Sequence, residues 1–328
     1  MLSVIVFIFL GIIILVLLIL IGVSLFLYQV GVARHKQAPV TEDKLPPEAT
    51  AADFVWVAKQ PFEKVEITAY DGLRLCGFYL KAAVPTTKTV ILAHGYGGSA
   101  KTNMGAFARL YYDDFGFNVL MPDARGHGES EGHYIGMGWH DRLDYVAWIQ
   151  YLLQRQGQDT QIALHGVSMG GATVLMTSGE DLPAQVRCII SDCAYESVYG
   201  IFTHQLRQMY NLPAFPIMPT ASMICKVRAG YSFGEASVVR QVSKARTPIL
   251  FIHGENDTYV PTKMVYPLYE SCQGAKELLL VPAAEHALAF EVDPSGYRQK
   301  TLDFLYTFID DTRLAGQEAD ASEGQVEA

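Results

Sequence analysis

The segment Leu164-His165-Gly166-Val167-Ser168-Met169-Gly170-Gly171-Ala172 places a serine between two glycines in the pattern G-x-S-x-G. Residues 161–164 form an apolar run typical of a buried strand, and the residues after the serine predict a helix. A serine on so sharp a turn exposes its hydroxyl, and its neighbours must lack bulk so that strand and helix can approach. We therefore interpret Ser168 as a nucleophile, the alternative being an incidental serine in a glycine-rich turn.

The sequence on either side of this turn alternates between strand-like and helix-like stretches. Residues 65–69 and 73–80, joined by Tyr70-Asp71-Gly72, predict an antiparallel hairpin because Asp-Gly supplies the positive φ of a tight turn. Residues 142–155 carry apolar side chains at helical spacing. Short continuous apolar runs predict strands buried on both faces of a parallel sheet: 89–93, 117–121, 161–164, 186–190, 249–252 and 278–281. The pattern predicts an α/β domain with a mostly parallel, doubly wound sheet.

Three further motifs accompany the Ser168 turn. They are His94-Gly95-Tyr96-Gly97-Gly98, Asp123-Ala124-Arg125-Gly126-His127-Gly128-Glu129-Ser130, and His253-Gly254-Glu255-Asn256-Asp257 followed by His286. With these motifs the chain resembles the α/β-hydrolase superfamily over residues 64–309, particularly bacterial membrane-anchored hydrolases of the serine-aminopeptidase-like and monoacylglycerol-lipase-like branches. The resemblance implies the α/β-hydrolase fold, a helical cap inserted at about residues 194–247, and a triad in the chain order serine, acid, histidine.

A catalytic serine needs a general base, and the base needs a carboxylate that orients it. Asp257 follows the strand predicted at 249–252, and His286 follows the one at 278–281. Both lie at carboxyl ends of strands, where open α/β sheets gather their sites. We therefore predict a triad of Ser168, Asp257 and His286.

Other residues near these strand ends are weighed against the triad. Asp192 is the alternative acid, since some members of the resembled family take their acid after the strand predicted at 186–190. We interpret His253 and His165 as histidines that pack or hydrogen-bond in the sheet and Glu285 as solvated. His127 and the rest of its motif are interpreted as supporting the fold.

The resemblance also implies two backbone N–H donors for an oxyanion, those of Met169 and Tyr96. Such donors are typically worth about 3 kcal/mol each in the transition state. Gly95, Gly97 and Gly98 would allow the loop around Tyr96 the geometry it needs. The alternative is a flexible loop between a strand and a helix.

The N-terminal region predicts a membrane anchor. Residues 2–33 contain no charged residue, and residues 4–28 are almost wholly Val, Ile, Leu and Phe. A bilayer core needs about 20 helical residues. A cleaved signal peptide is the alternative, but its apolar region reaches only about 15 residues and follows basic residues. Arg34, Lys36 and Lys44 follow the span, and the five cysteines show no paired spacing, so we expect a single-pass protein of the cell membrane with a cytoplasmic body.

We divide the chain into four parts. Residues 1–33 are the anchor, and 34–53, with three prolines, are a polar linker. Residues 54–311 are the hydrolase domain. Residues 312–328 contain almost no large apolar residue and predict a disordered tail.

The net charge and the motifs present limit the classes of function that the chain can have. A net charge of −9 gives no footprint for nucleic acid. Neither metal-ligand spacings nor phosphate-binding glycine loops occur, so we predict no metal and no organic cofactor. We predict a serine hydrolase acting on small or moderately apolar carboxylic esters. A serine peptidase or amidase and a non-catalytic membrane-tethered binding module are the alternatives, and the sequence indicates no oligomeric state.

Overall fold

Eight strands form one sheet in the computed structural model, which describes residues 2–34 and 48–310. The strands are β1 (Glu63–Thr68), β2 (Arg74–Leu80), β3 (Lys88–Ala93), β4 (Asn118–Pro122), β5 (Gln161–Val167), β6 (Val186–Asp192), β7 (Ile249–Gly254) and β8 (Lys276–Val281). Their order across the sheet is β1-β2-β4-β3-β5-β6-β7-β8. The pairs β1–β2 and β2–β4 are antiparallel and the others parallel. The predicted fold class is confirmed.

Helices cover both faces of this sheet. They are α1 (Leu2–Gly31), α2 (Glu48–Lys59), α3 (Ala100–Asn103), α4 (Gly105–Arg109) with a π-helical turn (Leu110–Asp114), α5 (Asp141–Gln156), α6 (Met169–Thr177), α7 (Val198–Tyr210), α8 (Ala214–Ala229), α9 (Val238–Val242), a 3₁₀ turn (Thr262–Met264), α10 (Val265–Ser271), α11 (Ala289–Val292) and α12 (Pro294–Phe308). One core packs α5 and α6 on the sheet through residues such as Trp148. The other packs α4 and α12 through Phe107 and Phe304.

The topology brings the predicted site residues to one edge of the sheet. Strands β5, β6, β7 and β8 are parallel neighbours, so their carboxyl ends lie side by side. Ser168, Asp257 and His286 follow β5, β7 and β8. Between β6 and β7 the chain forms α7, α8 and α9, and we call residues 194–247 the cap.

Helix α1 is long and apolar enough, over Ser3–Gly31, to cross a membrane. From Leu20 onward one side of it packs against the body of the protein. The chain after it pairs with a loop of the body, because Ile135 N–H donates to Val32 O at 2.7 Å and Arg34 N–H donates to His133 O at 3.0 Å. The Arg34 guanidinium donates to backbone carbonyls at Gly128, Ser130 and Gly132. The end of the apolar helix is therefore fixed to the domain that follows it.

The predicted linker at 34–53 needs correction in its second part, because α2 begins at Glu48. The Trp56 ring packs edge-on against Phe62 and Tyr112, with centroids 6.5 and 5.8 Å away, and Val57 is buried. Proline is frequent at helix starts as well as in linkers, so Pro46 and Pro47 gave an ambiguous signal. Residues 35–47 of the predicted linker and the predicted disordered tail at 312–328 lie outside the described residues.

Candidate active site

Ser168 sits at the junction where β5 ends and α6 begins. Its backbone has φ 57° and ψ −117°, an uncommon conformation for a residue other than glycine. The Ser168 N–H donates to Asp192 O at 2.9 Å, which holds the turn against β6. The sequence therefore folds locally into the strained strand-to-helix turn that the G-x-S-x-G pattern predicts.

The glycines around Ser168 allow a very close approach of backbones. A Cβ built on Gly166 would lie 2.2 Å from Gly170 O, and one built on Gly170 would lie 1.9 Å from Ala93 O. Real Cβ atoms do not approach other atoms so closely. Strand β5 can therefore meet α6, and α6 can meet the end of β3, only if these positions lack side chains.

Gly170→Ala is expected to disturb this turn, because the added methyl group would overlap the Ala93 carbonyl. We expect a loss of unfolding free energy of about 3 kcal/mol. Displacement of Ser168 is expected to lower kcat/KM by about 100-fold. Chemical unfolding and ester turnover of the detergent-solubilised protein measure the two effects.

The matched control is Gly234→Ala, since a Cβ at Gly234 meets nothing within 4 Å. It is expected to behave as wild type in both measurements. If both variants behaved alike, the close approach at Gly170 would not be what the turn requires.

The structure brings Ser168, His286 and Asp257 together in one hydrogen-bonded chain. His286 Nε2 lies 2.9 Å from Ser168 Oγ, and His286 Nδ1 lies 2.7 Å from Asp257 Oδ2. Asp257 and Ser168 are both buried, whereas the His286 side chain keeps 21% of its surface exposed. In this arrangement the imidazole can take the serine proton while the carboxylate holds its other nitrogen.

Asp257 is held as an anion. Burial opposes its ionisation, but hydrogen bonds from His253 and His286 and from the Val260 N–H outweigh that effect and lower its pKa to about 2. Oδ1 accepts N–H bonds from Tyr259 at 3.0 Å and Val260 at 2.8 Å. The carboxylate is therefore charged at neutral pH.

His253 contacts this carboxylate as well, which sequence reasoning did not anticipate. Its Nε2 lies 3.3 Å from Asp257 Oδ2 and 2.9 Å from Val260 O. Both neighbours are acceptors, so Nε2 carries the proton. His253 is thus a second donor that orients Asp257. Only its position four residues before Asp257, in the string His253-Gly254-Glu255-Asn256-Asp257, could have signalled this contact.

The side chains of the alternative candidates have hydrogen-bond partners other than His286, or are exposed. Asp192 Oδ2 accepts a hydrogen bond from the Tyr297 hydroxyl at 3.1 Å, and burial raises the Asp192 pKa to about 6. His165 is enclosed between the Tyr111 and Tyr297 hydroxyls at 3.1 and 3.0 Å, and burial lowers its pKa to about 3. Glu285 is exposed. None of these rivals is hydrogen-bonded to His286 among the residues that the structure describes.

Two neutral histidines brace the loop at residues 94–98. His94 Nε2 accepts from Ala124 N–H at 2.9 Å and its Nδ1 donates to Gly95 O at 2.8 Å. His127 Nε2 accepts from Gly97 N–H at 3.3 Å. Burial lowers the pKa of His94 to about 4 and that of His127 to about 3, so both stay neutral. The loop is therefore held by hydrogen bonds rather than left flexible.

The same loop runs beside the nucleophile. A Cβ on Gly95 would lie 3.6 Å from Ser168 Cβ, and Tyr96 borders the cavities next to Ser168. The Tyr96 hydroxyl donates to Val30 O of α1 at 2.9 Å. Met169 is the first residue of α6, where helix amides lack an intrahelical acceptor.

Two cavities meet at Ser168. One, of about 200 Å³, is lined mainly by apolar side chains of α1 and the cap. The other, of about 490 Å³, is bordered by His286 and by residues 101–107, which include the polar side chains of Lys101 and Asn103. The serine hydroxyl thus has an apolar space on one side and a more polar one on the other.

One cluster near the site has the atom types of a metal site. Ligand atoms of Cys193, Asp257 and His286 lie within 4.8 Å of one another. However, both His286 nitrogens already contact Asp257 and Ser168, and burial raises the pKa of the Cys193 thiol. The residues fit the hydrogen-bonded chain better than they fit a metal ion.

The chain is similar in sequence and in fold to known proteins. The chain matches the α/β-hydrolase fold family over residues 88–216 and a serine hydrolase family (FSH1) over residues 199–288. It is 30% identical over 257 residues to the uncharacterized protein YqkD of Bacillus subtilis, a match that covers 77% of this chain and 84% of that protein. It is 24% identical to the uncharacterized membrane protein YNL320W of Saccharomyces cerevisiae, covering 75% of this chain and 80% of that one. The esterase Pf2001 of Pyrococcus furiosus superposes with a TM-score of 0.66 at 22% identity, covering 85% of this chain and 99% of the esterase.

Proposed function

Because the chain belongs to the α/β-hydrolase superfamily and is of its serine-hydrolase type, we propose that it hydrolyses carboxylic esters through an acyl-enzyme on Ser168. The observation that carries this proposal is the hydrogen-bonded chain from Asp257 through His286 to Ser168, with distances of 2.7 and 2.9 Å. An activated serine at a strained turn is the arrangement that acyl transfer requires.

Acylation uses each of these groups in turn. Ser168 Oγ attacks the ester carbonyl carbon while its proton passes to His286 Nε2. Ionised Asp257 keeps the proton on His286 Nδ1 and stabilises the imidazolium that forms. The backbone N–H groups of Met169 and Tyr96 are the proposed donors to the oxyanion, which they favour over the ground-state carbonyl.

Collapse of the tetrahedral intermediate releases the alcohol, which takes the proton from His286. A water molecule then attacks the carbonyl carbon of the acyl-enzyme while His286 Nε2 accepts its proton. Collapse of this second tetrahedral intermediate returns the proton to Ser168 Oγ and releases the carboxylic acid. The apolar cavity suits the acyl group, and the polar cavity beside His286 suits the alcohol and the water.

With the acyl group in the apolar cavity, the lining favours an ester over an aminoacyl substrate, since the acidic residues Asp53 and Glu291 border the other cavity. Among the described residues that line the apolar cavity, none is acidic, so it offers no counter-ion for a substrate amine. Burying an unpaired ammonium group would be strongly unfavourable.

We further propose that α1 anchors the chain in the cell membrane with the body in the cytoplasm. Arg34, Lys36 and Lys44 follow the span, as the positive-inside rule expects on the cytoplasmic side. Protease cleavage of the body in inverted but not in right-side-out vesicles is the expected result, and the reverse would overturn the orientation.

The test of the proposed reaction compares two substrate classes on the full chain in detergent. One is a series of p-nitrophenyl esters of increasing chain length, and the other is a set of aminoacyl p-nitroanilides. We expect ester turnover that Ser168→Ala removes. Turnover of the anilides without the esters would assign a peptidase, and turnover of neither by folded protein would leave a binding role.

A further inference from the structure

The apolar cavity beside Ser168 has a wall made by the membrane helix itself. Leu27, Val30 and Gly31 of α1 line it together with α7 and α8, and the cavity reaches Ser168. Attachment to a membrane does not by itself require α1 to contribute side chains to the cavity next to the nucleophile.

The wall is held in place by contacts along about two turns of α1. Ser24 is fully buried with its hydroxyl 3.5 Å from Ile217 O, and the Phe26 ring packs edge-on against Tyr210 at 6.1 Å. Tyr28 is buried, with the Arg228 guanidinium 5.2 Å above its ring. The hydrogen bond from the Tyr96 hydroxyl to Val30 O joins the same helix to the loop of the proposed oxyanion donor.

The length of α1 places this wall at the edge of the bilayer. The span Ser3–Gly31 has 29 residues, or about 43 Å at 1.5 Å per residue. A hydrocarbon core is about 30 Å thick, so an upright helix would leave about nine residues at the headgroup level, and a tilted one would keep them in lipid. We place Leu27 and Val30, near the C-terminal end of the span, at the level where lipid chains meet lipid headgroups.

The cap helices that pack on α1 also present large apolar side chains outward. Met209 is 63% exposed, Phe215 78%, Met223 69% and Val227 82%. Exposed apolar groups gathered on neighbouring helices mark a contact with a membrane or a partner. Because α8 packs along α1, the bilayer that α1 crosses is the apolar phase next to this surface.

We infer that the apolar cavity is loaded from the bilayer. The substrate is an amphiphilic ester resident in the membrane, and its acyl chain enters between the last turns of α1 and helices α7 and α8. The ester group then meets Ser168 at the headgroup level. Leu27 and Val30 set the chain length that the cavity accepts. This inference rests on the proposed ester hydrolysis and adds the class of substrate and its route.

The test uses the full chain reconstituted in phosphatidylcholine vesicles, with p-nitrophenyl palmitate in the bilayer and p-nitrophenyl acetate in the water. Leu27→Trp is expected to lower the ratio of kcat/KM for palmitate over acetate by about tenfold, since it fills the cavity. Leu18→Trp, at an exposed position of the same helix, is the control and is expected to leave the ratio at its wild-type value. An unchanged ratio in Leu27→Trp would overturn the inference.

A second pair of variants covers a failure of Leu27→Trp to fold. Leu27→Ala enlarges the cavity and is expected to move the preferred ester to longer chains. Val227→Asp places a charge on the outward face of α8 and is expected to lower turnover of the vesicle-borne ester about tenfold relative to the soluble one. Wild-type preferences in both variants would overturn the inference.

Labelling by a fluorophosphonate separates this test from that of the reaction. If the wild-type chain in vesicles is not labelled at Ser168, the proposed hydrolysis fails. If it is labelled and hydrolyses acetate but not the bilayer ester, only the route from the membrane fails.

Discussion

Ser168→Ala and His286→Ala are each expected to lower kcat for ester hydrolysis by about 10⁶-fold. The first removes the attacking oxygen, and the second removes the only side chain within 2.9 Å that can take its proton among the described residues. Turnover of the p-nitrophenyl ester series by detergent-solubilised protein measures the loss.

Two controls accompany this prediction. The double variant is expected to lose no more than either single variant, because groups that act as one unit are not additive. Chemical unfolding should place both single variants near wild type, since neither side chain fills a core. Losses that added up in the double variant would contradict a shared proton transfer.

Asp257→Asn is expected to lower kcat by about 10⁴-fold. An asparagine keeps the shape of the side chain but removes the charge that stabilises the imidazolium, and it allows the wrong tautomer of His286. Asp192→Asn is the matched control, since Asp192 contacts Tyr297 and not His286, and we expect a loss of less than about tenfold. If Asp192→Asn proved the more damaging change, the acid would be assigned wrongly.

The pH dependence of stability offers a check on the same carboxylate. The Asp257 pKa is lowered to about 2, below its usual 3.8, so its ionised form stabilises the fold above about pH 4. That contribution is lost as the pH falls from about 4 towards 2. Asp257→Asn is therefore expected to unfold with a weaker dependence on pH across that interval than the wild type.

Local sequence patterns were sufficient to predict the strands of the sheet and the turn at Ser168. The runs that became β3, β5, β6 and β7 are continuous and apolar because those strands are buried on both faces. The glycines beside Ser168 are required by backbone contacts that the motif itself implies. Order along the sheet then placed Asp257 and His286 at the same edge, as the sequence predicted.

The features that the sequence could not indicate depend on contacts between residues far apart in the chain. Ser24 meets Ile217, and Tyr96 meets Val30, across separations of 193 and 66 residues. An apolar helix has the same composition whether lipid surrounds it on all sides or one side of it lines a cavity. No pattern in residues 2–33 therefore distinguishes these two arrangements. The start of α2 was obscured in a similar way by prolines that suit both a linker and a helix start.

Labelling of the full chain by a fluorophosphonate tests whether Ser168 is an activated nucleophile, with the adduct located by mass spectrometry of peptides. We expect one adduct, on Ser168, that is absent from Ser168→Ala and strongly reduced in His286→Ala. A folded wild-type chain that takes no label, or one that carries the adduct on another residue, would contradict it.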